Sequence, residues 1–166
     1  MQSSPDQIRA YLYWLSDRGM KHPAPRVTPQ VVDLFIAKAQ RRVMFVGDHN
    51  VMSEAERSLL EKMIYAMQLT PEQVVIVEAN VKEILEKTSP ELIVALGAEA
   101  AQTLMGSQVR FHETRGKIVP SPTNGGLATL VTIHPRDLLR VPEDKRLAWS
   151  DLKVVMARLG LARSFQ

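Results

Sequence analysis

The sequence predicts a three-layer α/β/α protein, in which a central, mainly parallel sheet of about four strands lies between helices. From residue 41 onward, short runs rich in Val, Ile and Leu alternate with helical stretches, which is the pattern of repeated strand–helix–strand units. These runs are apolar throughout, as in strands covered on both faces. The chain of 166 residues is long enough to form one domain around a single core.

The predicted strands share this apolar character, and they cover residues 42–47, 73–78, 91–97 and 127–133. Thr28 followed by Pro29 is an N-cap with proline at the first helical position, which predicts a helix over 29–40. Ser53 and Glu56 form a capping box before a helix with a regular apolar stripe. Three further helices are predicted: a short one capped by Asn80 that runs to about 87, one over 98–105, and a long one over 142–159.

Two segments outside this alternation define the predicted domain organisation. Residues 1–27 are predicted to form an N-terminal helix, at about 5–18, and a linker, and residues 28–166 to form the α/β domain. An apolar stripe in the first helix suits packing on the domain and suits binding a partner protein equally well. Residues 107–126 are predicted to be irregular, with one hairpin arm over 109–112.

Composition excludes several classes of function. The chain has no cysteine, which excludes disulfides, thiol catalysis, cysteine-ligated zinc and iron–sulfur clusters, and no metal or cofactor is expected. The glycine pattern of a dinucleotide-binding turn is absent after the first strand, which disfavours NAD and FAD. The start of the chain lacks the features of a signal peptide and no apolar run is long enough to span a membrane. We therefore expect a cytoplasmic, soluble protein without a membrane partner, and the net charge of +3 permits a nucleic-acid partner if the basic residues cluster.

Polar residues follow two of the predicted strands at the sheet edge where α/β proteins place their sites. The first strand ends in Gly47-Asp48-His49-Asn50, which is also a common composition for a solvated loop. The last strand ends at His134, fixed by Pro135, which is compatible with a site and with a histidine bonded to nearby backbone. Arg136 and Arg140 lie on the turn that follows, where guanidinium groups suit phosphate binding.

Residues 41 to 160 resemble the uracil-DNA glycosylase superfamily, most nearly the bacterial and archaeal branch whose members usually carry an iron–sulfur cluster. The order and spacing of four motifs carry the resemblance: Glu91 to Gly97 with Ala98 to Gly106, Arg115-Gly-Lys117, His134-Pro-Arg-Asp-Leu-Leu-Arg140, and Pro142 to Leu152.

The resemblance implies a fold in which active members flip a uracil out of DNA and cut its N-glycosidic bond. His134 matches the histidine that stabilises the departing uracil anion, Asn80 the asparagine that reads the base, and Asp48 the acidic group near the sugar. The family's first motif reads Gly-Glu-Ala-Pro-Gly and leads to a long segment with a stacking aromatic. This chain instead reaches Ser53 soon after Asp48, so the proline, the second glycine, the aromatic and the cluster cysteines are all missing.

The psi-subunit family of the bacterial DNA polymerase III clamp loader is also similar to this chain, as a shortened, inactive version of the same fold. The resemblance implies an N-terminal tether that docks on clamp-loader subunits such as chi or tau/gamma. Residues in the corresponding place are Tyr11, Leu12, Trp14 and Leu15.

Together these features favour a non-catalytic accessory protein of DNA replication or repair, with a collapsed base pocket and a psi-like partner-binding arm. One alternative is an active uracil-DNA glycosylase that uses His134, Asp48 and Asn80, and another is a simple DNA-binding module. The expected DNA contacts are Arg115, Lys117, Arg136 and Arg140.

Overall fold

The computed structural model describes residues 42–48 and 50–161, and it has the α/β architecture that the sequence predicts. The five strands share a short length of three to five residues, and they are β1 (Val43–Val46), β2 (Val74–Val77), β3 (Leu92–Leu96), β4 (Ile118–Pro120) and β5 (Ala128–Thr132).

Six α-helices connect and cover the strands in the described part of the chain, and they are α1 (Glu54–Ala66), α2 (Val81–Thr88), α3 (Gly97–Met105), α4 (Phe111–Thr114), α5 (Pro135–Arg140) and α6 (Lys145–Arg158). Short 3-10 turns at Pro71–Gln73 and Pro142–Asp144 precede β2 and α6. No helix in these residues is both long enough and apolar enough to cross a membrane.

The strands form one sheet in the order β2-β1-β3-β5-β4. β1 pairs in parallel with β2 and β3, and β3 pairs in parallel with β5. β4 is antiparallel to β5 and lies at the edge of the sheet. The sheet is therefore mainly parallel, and its central strands present their carboxyl ends at a common edge.

Alternate side chains of β1 point into two separate apolar layers. Val43 and Phe45 belong to a cluster that includes Leu60 of α1 and Leu152 of α6. Met44 and Val46 belong to a second cluster, which includes residues of α3 and lies on the opposite face of the sheet. Because both faces carry helices, the apolar strand sequences are explained and the three-layer prediction is confirmed.

The structure corrects the sequence predictions in two places. The sheet has five strands instead of about four, because Ile118–Pro120 pairs with β5 as a hairpin arm. The arm predicted over 109–112 is wrong: this segment leads into α4, where Phe111 packs against both the second cluster and a small cluster around Ile133. The helices predicted over 5–18 and 29–40, and the division of the chain at residue 27, lie outside the described residues or depend on them.

Candidate functional site

The strand order creates a topological switch point between β1 and β3, because the chain moves from β1 to β2 on one side and then to β3 on the other. Ligands of open α/β sheets bind beyond the carboxyl ends of the strands at such a point. Asp48 follows β1, Gly97 follows β3, and His134 follows the next strand, β5. The fold thus brings two of the predicted site residues to one place.

Asp48 is buried, and its two carboxylate oxygens have different partners. Oδ1 accepts a hydrogen bond from the backbone N–H of Asn50 at 3.1 Å, and Oδ2 accepts one from Nη1 of Arg136 at 2.7 Å. Burial alone would raise the pKa of Asp48, but the hydrogen bonds from Arg136 and Asn50, with the charge of Arg136, outweigh burial and lower this pKa. The carboxylate is therefore charged at neutral pH and already paired.

Arg136 also binds a second acid. Its Nε donates to Oε1 of Glu56 at 3.2 Å, while Oε2 of Glu56 accepts from the backbone N–H of Ser53 at 3.1 Å in the capping box of α1. The side chains of Asp48 and Glu56 are 7% and 11% exposed, whereas that of Arg136 is 39% exposed. We call Asp48, Glu56 and Arg136 the acid–arginine cluster. The cluster thus holds two carboxylates against one guanidinium.

His134 packs directly on Gly97. A Cβ atom at Gly97 would lie 3.1 Å from Cβ of His134, and the φ of Gly97 is +86°, a conformation that favours glycine. Nδ1 of His134 accepts the backbone N–H of Arg136 at 3.0 Å. This bond places the proton of the neutral imidazole on Nε2.

Nε2 of His134 is buried and has no hydrogen-bond partner among the described residues. Burial lowers the pKa of His134 more than the charges of Asp48 and Glu56 raise it, so the ring is neutral at pH 7. An unsatisfied buried donor costs about 1–3 kcal/mol. The Nε2–H group is therefore a donor that an acceptor atom of a ligand would satisfy.

The loop after β1 is folded back on the strand end. Met52 is buried, and its Cε atom lies 3.0 Å from the position of a Cβ atom at Gly47. Glu78, beyond the end of β2, accepts the backbone N–H of Met52 at 3.2 Å and pairs with Arg57 at 2.7 Å. The methionine side chain therefore occupies the space over Gly47.

Asn80 does not join Asp48 and His134. It is exposed at the N-cap position of α2 with φ 56° and ψ 38°, and its side chain makes no capping hydrogen bond. It lines a cavity of about 370 Å³, together with Val46, Gly47, Glu78, Thr103 and the first turn of α2, and neither Asp48 nor His134 lines that cavity. A larger groove of about 870 Å³ runs between α2, the 123–128 turn and Arg158, and none of the predicted site residues lines it.

The four predicted DNA contacts have different surroundings. Arg136 belongs to the acid–arginine cluster, and Arg115 donates from Nη1 to both carboxylate oxygens of Asp151 at 2.7 Å. Lys117 is exposed, and Arg140 is 77% exposed with Asp137 at 4.0 Å. Two of these cations therefore have acidic partners inside the protein, and two face solvent.

Asp151 is an acid that the sequence reasoning did not single out. It is buried on α6, accepts a hydrogen bond from Oγ1 of Thr132 at 2.8 Å, and lies 2.7 Å from the position of a Cβ atom at Gly116. Burial raises the pKa of Asp151 more than the Thr132 and Arg115 bonds lower it. A sequence signal existed, because Asp151 falls on the helical stripe that contains Ala148, Leu152 and Val155, where a charged residue indicates a buried partner.

Glu56 was also missed as a site residue, because its capping box already explained an acid at that position. Within the described residues, no group of His, Asp and Glu side chains is arranged to hold a metal ion. His49 and the predicted partner-binding residues lie outside the described part of the chain; these last are Tyr11, Leu12, Trp14 and Leu15.

Comparison with known families adds one finding to this geometry. The family model described as the uracil DNA glycosylase superfamily matches residues 35–153, which is well over half of the chain. The matched region contains every strand of the sheet, the acid–arginine cluster and His134. A search of curated proteins finds no match.

Proposed function

The chain belongs to the uracil-DNA glycosylase superfamily, and we propose that it is a non-catalytic accessory protein of DNA replication or repair that keeps the fold without its chemistry. The observation that carries this proposal is the 2.7 Å ion pair between Asp48 and Arg136. An acid near the sugar would assist glycosidic bond cleavage either as a base or through its negative charge. The ion pair opposes both roles.

As a general base, a carboxylate is most effective when its pKa lies near the working pH. The hydrogen bonds that lower the pKa of Asp48 move it away from that range. As an electrostatic group, Asp48 would stabilise a cationic sugar through its charge, but the guanidinium of Arg136 is bound to Oδ2 of Asp48 and offsets part of that charge. Met52 over Gly47 further reduces the space available for a flipped base.

Family membership and the exposed basic residues at the carboxyl edge support DNA as the partner. The backbone N–H of Gly116 donates to the carbonyl of Val131 at 2.9 Å. This hydrogen bond holds the turn that bears Lys117 beside the end of β5. Arg140 ends α5, which begins directly after His134. Both cations therefore lie at the sheet edge where the family's site is expected.

An excision assay tests the non-catalytic assignment. Uracil-containing single-stranded and double-stranded oligonucleotides are incubated with the protein and then heated in alkali, which cleaves the strand at abasic sites. We expect no cleavage above that of a protein-free control, while a working uracil-DNA glycosylase cleaves the same substrate. Cleavage that disappears in His134→Ala would overturn the proposal.

An active uracil-DNA glycosylase is the second candidate, and the Nε2–H group of His134 favours it. This buried donor lacks an acceptor among the described residues, and a neutral imidazole is suited to stabilise an anion that forms on a leaving base. If the protein is active, Asp48→Asn and His134→Ala both lower the rate of uracil release. Absence of release by the wild-type protein on both substrates would exclude this candidate.

We also propose a psi-like role, in which the segment with Tyr11, Leu12, Trp14 and Leu15 binds a clamp-loader subunit. The support is the residue pattern of that segment together with the family of the domain that follows. A pull-down with purified clamp-loader subunits, using the full chain and a variant that lacks residues 1–20, tests it. Equal capture by both proteins, or capture by neither, would contradict this role.

A further inference from the structure

The acid–arginine cluster has more negative than positive charge, and it lies at the edge where the proposed function places DNA. Asp48 and Glu56 are both nearly buried, and they share the guanidinium of Arg136. A phosphate group that approached Arg136 would meet two carboxylates at short range, with one guanidinium between them among the described residues. Like charges repel more strongly here than in bulk water, because the partly buried site has a lower effective dielectric constant.

The two acids are fixed, whereas the arginine is the more exposed member. Each acid uses its second oxygen to bind backbone: Asp48 accepts from Asn50, and Glu56 accepts from Ser53. Arg136 has five N–H donors, of which its Nε and Nη1 bind the two acids. Its Nη2 binds no acceptor among the described residues, so part of the guanidinium remains available to a ligand.

We propose that Asp48 and Glu56 act as an autoinhibitory contact, in which they compete with a nucleic-acid phosphate for Arg136 and hold DNA affinity low. This inference rests on the proposed DNA-binding function. It assigns Asp48 a role that is independent of catalysis. It also predicts the direction of the effect: removal of Asp48, the candidate catalytic acid, increases the affinity for DNA.

The test uses Asp48→Asn in the full chain and a fluorescent single-stranded oligonucleotide without uracil, with binding measured by anisotropy over a range of salt concentrations. Asparagine can still accept the N–H of Asn50, so the loop conformation is retained. We expect affinity at low salt to rise about tenfold, because one negative charge next to the guanidinium is removed. The slope of log K against log salt should become more negative by about 0.7 if Arg136 gains one phosphate contact.

Three further variants make the result specific. Glu61→Gln removes an exposed carboxylate from α1 and controls for the general change in net charge. Glu56→Gln removes the second acid, and glutamine is compatible with a capping box, so this variant carries the test if Asp48→Asn does not fold. Addition of Arg136→Gln to Asp48→Asn should abolish the gain.

The inference is overturned if Asp48→Asn and Glu56→Gln bind no more tightly than Glu61→Gln, or if the gain persists without Arg136. If the wild-type protein binds DNA and the acid variants do not improve binding, the autoinhibitory contact fails and the proposed function stands. If neither the wild-type protein nor any variant binds, both fail.

Discussion

The pair between Arg115 and Asp151 gives the sharpest prediction of stability. Asp151 is 4% exposed and accepts hydrogen bonds from Arg115 and from Thr132, whose hydroxyl is also buried. Replacement of one partner of a buried ion pair costs about 3–5 kcal/mol, because the remaining charge is left without its counter-ion. The side chain of Arg115 is 23% exposed and can recover part of its hydration, so the lower end of that range applies to the ion pair.

The hydroxyl of Thr132 loses its acceptor in the same variant, which adds about 1 kcal/mol. We therefore expect Asp151→Ala to lower the free energy of unfolding by about 4 kcal/mol. Asp151→Asn should lower it by about 3 kcal/mol, because the amide oxygen still accepts from Thr132 while Arg115 loses its counter-ion.

Urea unfolding followed by circular dichroism measures this difference. With a slope of about 2 kcal/mol per molar urea, Asp151→Ala should lower the midpoint by about 2 M. Glu113→Ala is the matched control, because it removes an acid from an exposed pair with Arg110, and such pairs contribute less than about 1 kcal/mol. If Asp151→Ala were no more destabilising than Glu113→Ala, loss of the counter-ion of Arg115 would carry no cost and this reasoning would be refuted.

Three more predictions concern the candidate site. Met52→Ala should lower the free energy of unfolding, measured in urea, by about 2–4 kcal/mol, because it leaves a cavity over Gly47. Met52→Leu keeps most of the volume and should lower it by less than about 1.5 kcal/mol. Equal losses would show that this space is not filled by the side chain. Gly97→Ala should cost more than Gly125→Ala in the same assay. Both glycines have positive φ, but only a Cβ at Gly97 meets His134, and equal losses would argue against that contact. Folding lowers the pKa of Asp48 and raises that of Asp151. As pH rises from about 3 to 6, the loss of unfolding free energy caused by Asp48→Asn should therefore grow, and the loss caused by Asp151→Asn should shrink. Parallel pH profiles for the two variants would contradict the assigned shifts.

Elements with local signals were predictable from the sequence. The capping box of α1 forms as expected, with Oγ of Ser53 accepting from the backbone N–H of Glu56 at 3.3 Å. The continuous apolar runs correspond to the four parallel strands, because helices cover both faces of these strands and leave no face for polar residues. β4 lacked such a signal, since it has only three residues, ends in Pro120 and depends on pairing with β5.

The contacts of the site residues were less predictable, because they join residues far apart in the chain. Asp48 and Arg136 are 88 positions apart, and Glu56 and Arg136 are 80 apart. The spacing of the last motif correctly places His134 at the sheet edge, but spacing within a motif carries no information about acids that other strands and helices supply.

Arg136 shows why this limit matters for function. Considered within its own motif, a guanidinium next to a histidine at a strand end is a cation suited to phosphate. In the fold, the guanidinium of Arg136 binds both Asp48 and Glu56, and the backbone N–H of the same residue donates to Nδ1 of His134 and sets its tautomer. Arg136, which its motif marks as a candidate DNA contact, therefore lies in a cluster of two carboxylates and one guanidinium. For that reason the response of DNA binding to Asp48→Asn separates the two interpretations. If Asp48 does not compete for Arg136, the substitution should change the affinity for uracil-free DNA no more than Glu61→Gln does, whereas if Asp48 competes, the substitution should raise that affinity.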